Sequence, residues 1–581
     1  MAGQVPAYFH AVAVDFDGTL AAGTVAPGTL AALAEARARK IRVILVTGRT
    51  MEDLRAVFPE VDDSVDAVVA ENGAVLSARS GVRRLADPVA PAVSAGLAAR
   101  GVPHQRGQVL VGCAAASEAA ASEVIRECGL DCQLVRNRGE LMILPAGVTK
   151  GTGLIEALGV LGLSRHNAIG VGDAENDHSL LEVCEVGVAV ANAVDAIRAH
   201  ADLVLPLPDG EGVAGLLRGP LLAEDEYIHP RRWQLALGTD DRGEAVTLPA
   251  SQLNVAICGG TGEGKSYLAG LVLEQLVRLG YCVVVFDPEG DHRGLGDLHG
   301  VYVTGGQEAR LADPADVVRL LRGGDASVVI DLSHLDAGGR ADYAARLTCE
   351  LEAHRAATGL PQWVAVDEAH GPIGRNGNPG RMVNSAAKGY LLVTWQPEEL
   401  PADVVAALDA VIVVGAPDPA SQSVGLAAAV ANVPCAEVAR LLDGPPGRAV
   451  LAWRQQSSPV VAFTTGSRAT RHLRHEHKYG QRGVEPARQF YFRAESGWPT
   501  GAVAANLAEL EAEIARCDEG VLRHHCSGQD FSRWVADVFR DRTLAVRLGA
   551  AEASLMERGP GAAAEQVRLE LIAALQDRNR R

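Results

Sequence analysis

Ala11-Val12-Ala13-Val14-Asp15-Phe16-Asp17-Gly18-Thr19-Leu20 decides how the amino-terminal part of the chain reads. A short apolar run ends on two carboxylates. In open α/β sheets such groups sit at the carboxyl ends of parallel strands, where ligands bind. Gly18 allows the turn that follows them. On its own Asp-x-Asp is also a helix cap or a solvated turn, so the surrounding sequence has to choose. Short apolar runs recur at Val43–Val46, Ala67–Ala70 and Ile169–Val171, separated by Ala/Leu/Arg-rich helical stretches. Strands alternating with helices predict a parallel α/β sheet. Three further polar groups follow in order: Thr47-Gly48-Arg49 after one strand, Lys150 at the head of the helical stretch Gly151–Val160, and Gly172-Asp173-Ala174-Glu175-Asn176-Asp177 after another strand.

This ordered set resembles the haloacid dehalogenase superfamily of phosphatases, in its Cof-like (type IIB) branch. Glu71-Asn72-Gly73-Ala74 and Gly187–Ala193 match further signatures of that branch. The resemblance implies that Asp15 attacks phosphorus and that Asp17 serves as general acid and then base. It implies that Thr47 and Lys150 hold the phosphoryl group, and that Mg²⁺ is held by Asp15, Asp17, Asp173 and Asp177, supported by Asn176. It also implies a cap, about residues 84–146, inserted over the site, and a phosphorylated small molecule as substrate.

A second α/β series begins at Asn254–Cys258 and continues through Cys282–Phe286, Ser327–Leu332, Trp363–Val366, Leu391–Val393 and Ala410–Val414. Its first strand runs into Gly259-Gly260-Thr261-Gly262-Glu263-Gly264-Lys265-Ser266, a complete G-x-x-x-x-G-K-[ST] loop opening a helix. Backbone N–H groups of such a loop cradle phosphates. Lys265 reaches the β- and γ-phosphates of ATP and Ser266 ligates Mg²⁺. The adjacent acids Asp367 and Glu368 end an apolar strand, which places Asp367 on Mg²⁺ and Glu368 as base for an attacking water. No Asn-Lys-x-Asp guanine motif is present. Gln396, after the next strand, is placed to sense the γ-phosphate.

These parts resemble the HerA/FtsK branch of ring ATPases. Phe286–His292 looks like that branch's second-strand motif, and Gly447–Val450 with Pro459–Phe463 like its closing strands. The resemblance implies a RecA-like domain, a homo-oligomeric ring and an arginine supplied by a neighbouring subunit, with Arg340, Arg346 and Arg381 as candidates. It also opens an alternative reading, a DNA motor threading DNA through a ring pore, with the phosphatase-like domain acting on nucleic-acid ends or nucleotides.

The expected layout is a phosphatase-like domain over residues 1–218, a connector over 219–253, an ATPase domain over 254–466 and a mainly helical domain over 467–581. The fold class is therefore α/β, with two Rossmann-like parallel-sheet domains and a helical tail. Composition agrees. The 581 residues suffice for about three to five domains. Hydrophobic residues make up 48% and charged residues 22%, a globular balance. The formal charge of −18 argues against non-specific coating of nucleic acid. The ten Cys are scattered without zinc-ligand spacing, which reads as reduced thiols. No apolar run reaches membrane-spanning length, so a cytoplasmic protein with no membrane partner is expected. The basic stretch Arg471–Tyr479, with His472, His475 and His477, reads as a solvated or phosphate-facing surface.

Overall fold

The computed structural model describes residues 8–137, 139–223, 226–260, 262–306, 309–371, 382–415, 418–454, 459–470, 488–539, 542–558 and 562–579. An eight-stranded sheet organises the amino-terminal part. Its order is Leu203–Val204, Val186–Ala189, Ala168–Gly172, Ala11–Asp15, Arg42–Val46, Ala67–Ala70, Val75–Ala78, Gly81–Arg84. The first six are parallel and the last two antiparallel. Ala11–Asp15 is buried throughout, as a central parallel strand covered on both faces must be. The chain winds one way from this strand and later returns on its other side, so the crevice between Ala11–Asp15 and Ala168–Gly172 is the switch point of the sheet. A four-stranded antiparallel sheet, formed within His104–Pro145, packs with helices Pro91–Ala99 and Glu118–Cys128 as the inserted cap.

The second sheet has 11 strands. Seven run parallel, in the order Ala410–Val414, Asn254–Gly259, Tyr390–Thr394, Trp363–Val366, Val283–Asp287, Ser327–Asp331, Val301–Gly305. Antiparallel strands Arg448–Trp453 and Val460–Thr465 extend it. The hairpin Gln234–Thr239/Ala245–Pro249 then pairs with Val460–Thr465 at the edge. Much of the stretch expected as a connector is thus part of this sheet. Alternating burial along both hairpin strands seats Leu235, Leu237, Val246 and Leu248 on the core.

The carboxyl-terminal part combines the hairpin Phe490–Arg493/Pro499–Ala504 with helices Leu507–Arg516, Glu519–Gly528, Asp530–Trp534, Arg542–Arg558 and Ala562–Asn579. Phe490, Phe492, Phe531 and Trp534 form its aromatic core. His525 is locked within it: Nδ1 bonds Asp530 at 2.8 Å and Nε2 accepts from the Arg493 N–H at 2.9 Å. That leaves its ring no lone pair for a metal, although His524, His525 and Asp530 lie close together. Residues 471–480, including His472, His475 and His477, lie outside the described residues.

The two α/β sheets meet base to base. Glu185, just ahead of Val186–Ala189, is fully buried and accepts from His166 Nδ1 at 2.7 Å and Tyr281 Oη at 2.8 Å. Ser251 Oγ donates to it as well. His166 stacks on Tyr281 with ring centroids 3.7 Å apart. Gln362, preceding Trp363–Val366, donates to Asn167 at 2.8 Å. All these residues precede strands, so the contact joins the amino-terminal edges of both sheets and their carboxyl-terminal edges face away from each other. Glu185→Leu should lower the thermal unfolding temperature of the full chain by several degrees. It strands the buried donors of His166, Tyr281 and Ser251, at about 1–3 kcal/mol for each unsatisfied group. An unchanged unfolding temperature would show that the contact contributes nothing.

Candidate functional sites

In the amino-terminal sheet, Asp15 ends one central strand and Asp173 follows its neighbour, and Thr47 follows a third strand. Lys150 opens helix Lys150–Leu161. Its ammonium is 1% exposed and bonds Asp15 at 2.6 Å and Asp177 at 2.5 Å. Burial disfavours the Lys150 charge, but Asp15 and Asp177 outweigh it and hold the lysine protonated. Burial, then the Asp177 charge, pushes the Asp15 carboxyl well up; Lys150 opposes them. Asp177 also accepts the N–H groups of Asp173 and Ala174 at 3.0 and 2.9 Å, and Thr19 donates to Asp173 at 2.9 Å. Oxygens of Asp15, Asp173 and Asp177 all lie within 4.8 Å of one another. A buried set of hard carboxylate oxygens suits Mg²⁺. The Asp17 carboxylate stands apart from this cluster, forked by Arg49 with both bonds at 2.7 Å. Thr47 is buried, its hydroxyl accepting the Arg49 N–H at 3.1 Å.

Glu71-Asn72-Gly73 joins core to cap. The buried Glu71 carboxylate accepts the N–H groups of Gln108, Val109 and Leu110 in the cap at 2.7, 2.8 and 3.0 Å. Asn72 accepts from Asn176 at 3.2 Å. Gly73 has φ +110°, and a Cβ there would lie 1.9 Å from the Thr149 carbonyl oxygen, so the approach of this turn to the Lys150 helix needs glycine. The sequence shows this motif without showing that its glutamate binds the cap.

In the second sheet the phosphate loop links Asn254–Gly259 to helix Lys265–Leu279. Gly259 ends the strand, Gly260, Gly262 and Gly264 lie in the turn and Ser266 is in the first turn of the helix; Thr261 lies outside the described residues. Gly259 packs so closely on Val414 that a Cβ would meet its carbonyl oxygen at 2.2 Å. Lys265 donates to the Gly260 carbonyl at 2.9 Å, and Glu263 accepts the Gly260 N–H at 2.6 Å. The loop's own groups thus engage donors that a phosphate would take.

Asp367 and Glu368 follow Trp363–Val366. Asp367 is buried. Burial opposes its charge, but the 2.9 Å bond from His292 Nε2 outweighs that and holds the carboxyl below its usual range. Burial pushes Asp287, the last residue of strand Val283–Asp287, up to about 6. Glu368 has φ +49°, a conformation that costs energy and clusters at active sites. His370 Nε2 lies 3.4 Å from the Glu368 carboxylate, and His370 Nδ1 is 3.2 Å from Thr394 Oγ1. The Thr394 hydroxyl accepts the Gln396 N–H at 3.0 Å. His292 and His370 are functional candidates that the motif reading passes over, although both lie inside or beside the motifs it uses. A cavity of about 290 Å³ beside the loop is lined by Glu263, Tyr267, Gly447, Arg448 and Gly466, among others. Arg340 donates to the carbonyls of Leu332 and Ser333, whereas the Arg346 side chain is 62% exposed. Arg381 lies outside the described residues.

Comparison with known proteins follows this division. The haloacid dehalogenase-like hydrolase family matches residues 12–86 and 114–217, and the central domain of helicase HerA matches residues 245–347. Through its amino-terminal domain the chain belongs to the haloacid dehalogenase-like hydrolases. Phosphoglycolate phosphatase from Methanothermobacter thermautotrophicus is 31% identical over 217 residues, 36% of this chain and 97% of that protein. Phosphoglycolate phosphatase 2 from Saccharolobus solfataricus is 43% identical over 81 residues, which is 14% of this chain and 34% of that protein. The solved structure of a haloacid dehalogenase-like hydrolase from B. subtilis is 20% identical, with a TM-score of 0.32, covering 36% of this chain and 99% of its own. The chain thus joins a haloacid dehalogenase-like hydrolase domain to a domain that matches the central domain of helicase HerA, and a helical segment follows. Among the described residues no single helix is long and apolar enough to cross a membrane.

Proposed function

We propose that the chain carries two catalytic centres, a Mg²⁺-dependent phosphomonoester hydrolase working through an aspartyl-phosphate and an ATP-hydrolysing ring ATPase. The observation that carries the first is Lys150, buried between Asp15 and Asp177 with Asp173 beside them. Phosphoryl transfer needs a nucleophile, a proton donor and cations for the equatorial oxygens. Asp15 supplies the nucleophile, Asp17 the acid and then the base, and Thr47 and Lys150 hold the phosphoryl group. Mg²⁺, held by Asp15, Asp173 and Asp177, supplies charge neutralisation there. The names of the relatives favour a small phosphomonoester of the phosphoglycolate kind as substrate. Phosphate release from p-nitrophenyl phosphate by the full chain, with Mg²⁺ and with EDTA, tests this. Release that survives EDTA would contradict the metal dependence.

In the second centre Lys265 and the loop bind the ATP phosphates. Ser266 and Asp367 hold Mg²⁺, Glu368 activates water and Gln396 senses the γ-phosphate. Of the two described candidates for an arginine acting in a neighbouring subunit, Arg340 is engaged by carbonyls of its own chain and the exposed Arg346 is favoured. Such a residue is worth about 10³–10⁵ in rate, and a closed ring satisfies every interface. ATP turnover per chain should therefore rise with protein concentration. Arg346→Ala should remove that turnover, and mixing with Lys265→Ala chains should restore part of it. A fully active monomer would contradict the ring. The match to the HerA central domain favours a second reading, DNA translocation. Strong stimulation of ATP turnover by duplex DNA would support it.

A further inference from the structure

One cavity touches three of the places where the cap is joined to the core. Two of these are chain crossings: residues 85–90 lead from edge strand Gly81–Arg84 to cap helix Pro91–Ala99, and residues 146–149 return from strand Glu140–Pro145 to helix Lys150–Leu161. The third is the turn Glu71–Gly73, whose glutamate holds cap N–H groups. The cavity, of about 440 Å³, is lined by Leu85 and Ala86 of the first crossing, Ala146, Gly147 and Val148 of the second, and Gly73 of the turn. Arg83, Arg84 and Glu156 also line it, and no other acid does. Glu156 already accepts from Arg83 at 2.8 Å. Among the described residues the Arg84 side chain makes no hydrogen bond or ion pair, and the N–H groups of Ala86, Ala146 and Gly147 donate to no protein group. The cavity wall thus holds an uncommitted guanidinium and three uncommitted backbone donors, with no free carboxylate to balance them.

We propose that this cavity binds a small organic anion, with its carboxylate or phosphate group on Arg84 and its body against Leu85, Ala86 and Val148, and that the bound molecule fixes the cap on the core. A guanidinium fork takes either group with two parallel bonds. The volume lies within the roughly 300–1,000 Å³ of small-molecule sites, and the apolar wall suits an organic body better than a bare ion. The two crossings are where a cap hinges, because element-terminal residues absorb the change in φ and ψ. Gly147 is suited to that: it has φ +81°, and nothing lies within 4 Å of where its Cβ would be. A molecule bound to both crossings ties them together. Val148 stands two residues before Lys150, whose ammonium holds Asp15 and Asp177. The ligand therefore acts beside the hydrolase site without entering it. Binding is independent of the phosphatase reading; its effect on turnover rests on that reading.

The test is hydrogen–deuterium exchange of the full chain with benzoate, with phenylphosphonate, and with sulfate as the bare ion, each at millimolar concentration. Benzoate or phenylphosphonate should slow exchange in peptides covering residues 84–90 and 146–149, and the stronger of the two shows which anionic group is preferred. Sulfate should not. Arg84→Gln should raise the concentration for half protection at least about tenfold, the worth of a hydrogen bond to a charged group, and Arg84→Lys should restore part of the affinity. Arg84 is exposed at the sheet edge, so both variants should fold and hydrolyse p-nitrophenyl phosphate as the wild type does when no anion is added. Because product leaves when a cap opens, the anion that protects the crossings should lower kcat for p-nitrophenyl phosphate at least about twofold, and not in Arg84→Gln. Unprotected crossings, protection equal in Arg84→Gln, or protection confined to peptides around Asp15 and Asp173 overturns the site. Protected crossings with unchanged turnover overturn the hold on the cap. A wild type inert toward p-nitrophenyl phosphate overturns the phosphatase reading, while the exchange data still decide the site.

Discussion

Asp15→Asn should abolish hydrolysis of phosphomonoesters, a loss of at least about 10³-fold in kcat, while the protein stays folded. The amide has the shape of the carboxylate but is no nucleophile, and removing a covalent nucleophile costs orders of magnitude. The folded state should tolerate the change. Asp15 is buried against the like charge of Asp177, and its carboxyl is pushed up by burial first and that charge second. A neutral side chain relieves both, and Lys150 keeps Asp177 at 2.5 Å. Thermal unfolding should therefore occur at or slightly above the wild-type temperature. Normal turnover by a folded Asp15→Asn protein would remove Asp15 from the mechanism.

Glu368→Gln should bind ATP as the wild type does and stop turning it over, by roughly 10²–10⁴-fold for loss of a general base. Lys265→Ala should weaken binding itself, because its ammonium acts on the bound phosphates. The two effects separate because the groups touch different parts of the reaction. Glu368 sits on a strained backbone at φ +49° beside His370. Lys265 reaches back onto the loop at Gly260. Equilibrium binding of a fluorescent ATP analogue, measured beside phosphate release, distinguishes them. A Glu368→Gln protein that hydrolyses ATP normally would place the base elsewhere.

The parts of this fold that were plain in the sequence share one physical cause. A central parallel strand is buried on both faces and becomes a continuous apolar run, as in Val43–Val46 or Ala410–Val414. The acids and loops that end such runs are then placed by the sheet itself, which is why Asp15, Asp173, the phosphate loop and Asp367 were legible. Edge strands carry no such run. Val301–Gly305 is mostly half-exposed, and the hairpin Gln234–Pro249 alternates buried and exposed residues around an Asp/Gly turn. Both read as loop or connector. Long-range polar contacts were illegible for another reason: nothing local marks them. Glu71 reaches the cap 37 to 39 residues away, and Glu185 reaches Tyr281 96 residues away. Arg49 was visible beside Thr47, but its fork on Asp17 depends on two strands meeting.

Base-to-base docking turns the carboxyl-terminal edges of the two sheets, which carry the two proposed centres, away from each other, so each should work without the other's chemistry. The most direct test measures phosphate release from p-nitrophenyl phosphate and from ATP on the wild type, Asp15→Asn and Lys265→Ala. The expected result is a double dissociation: Asp15→Asn loses only monoester hydrolysis, and Lys265→Ala loses only ATP turnover. One substitution abolishing both activities, or neither activity responding to its own substitution, would contradict two separate catalytic centres on this chain.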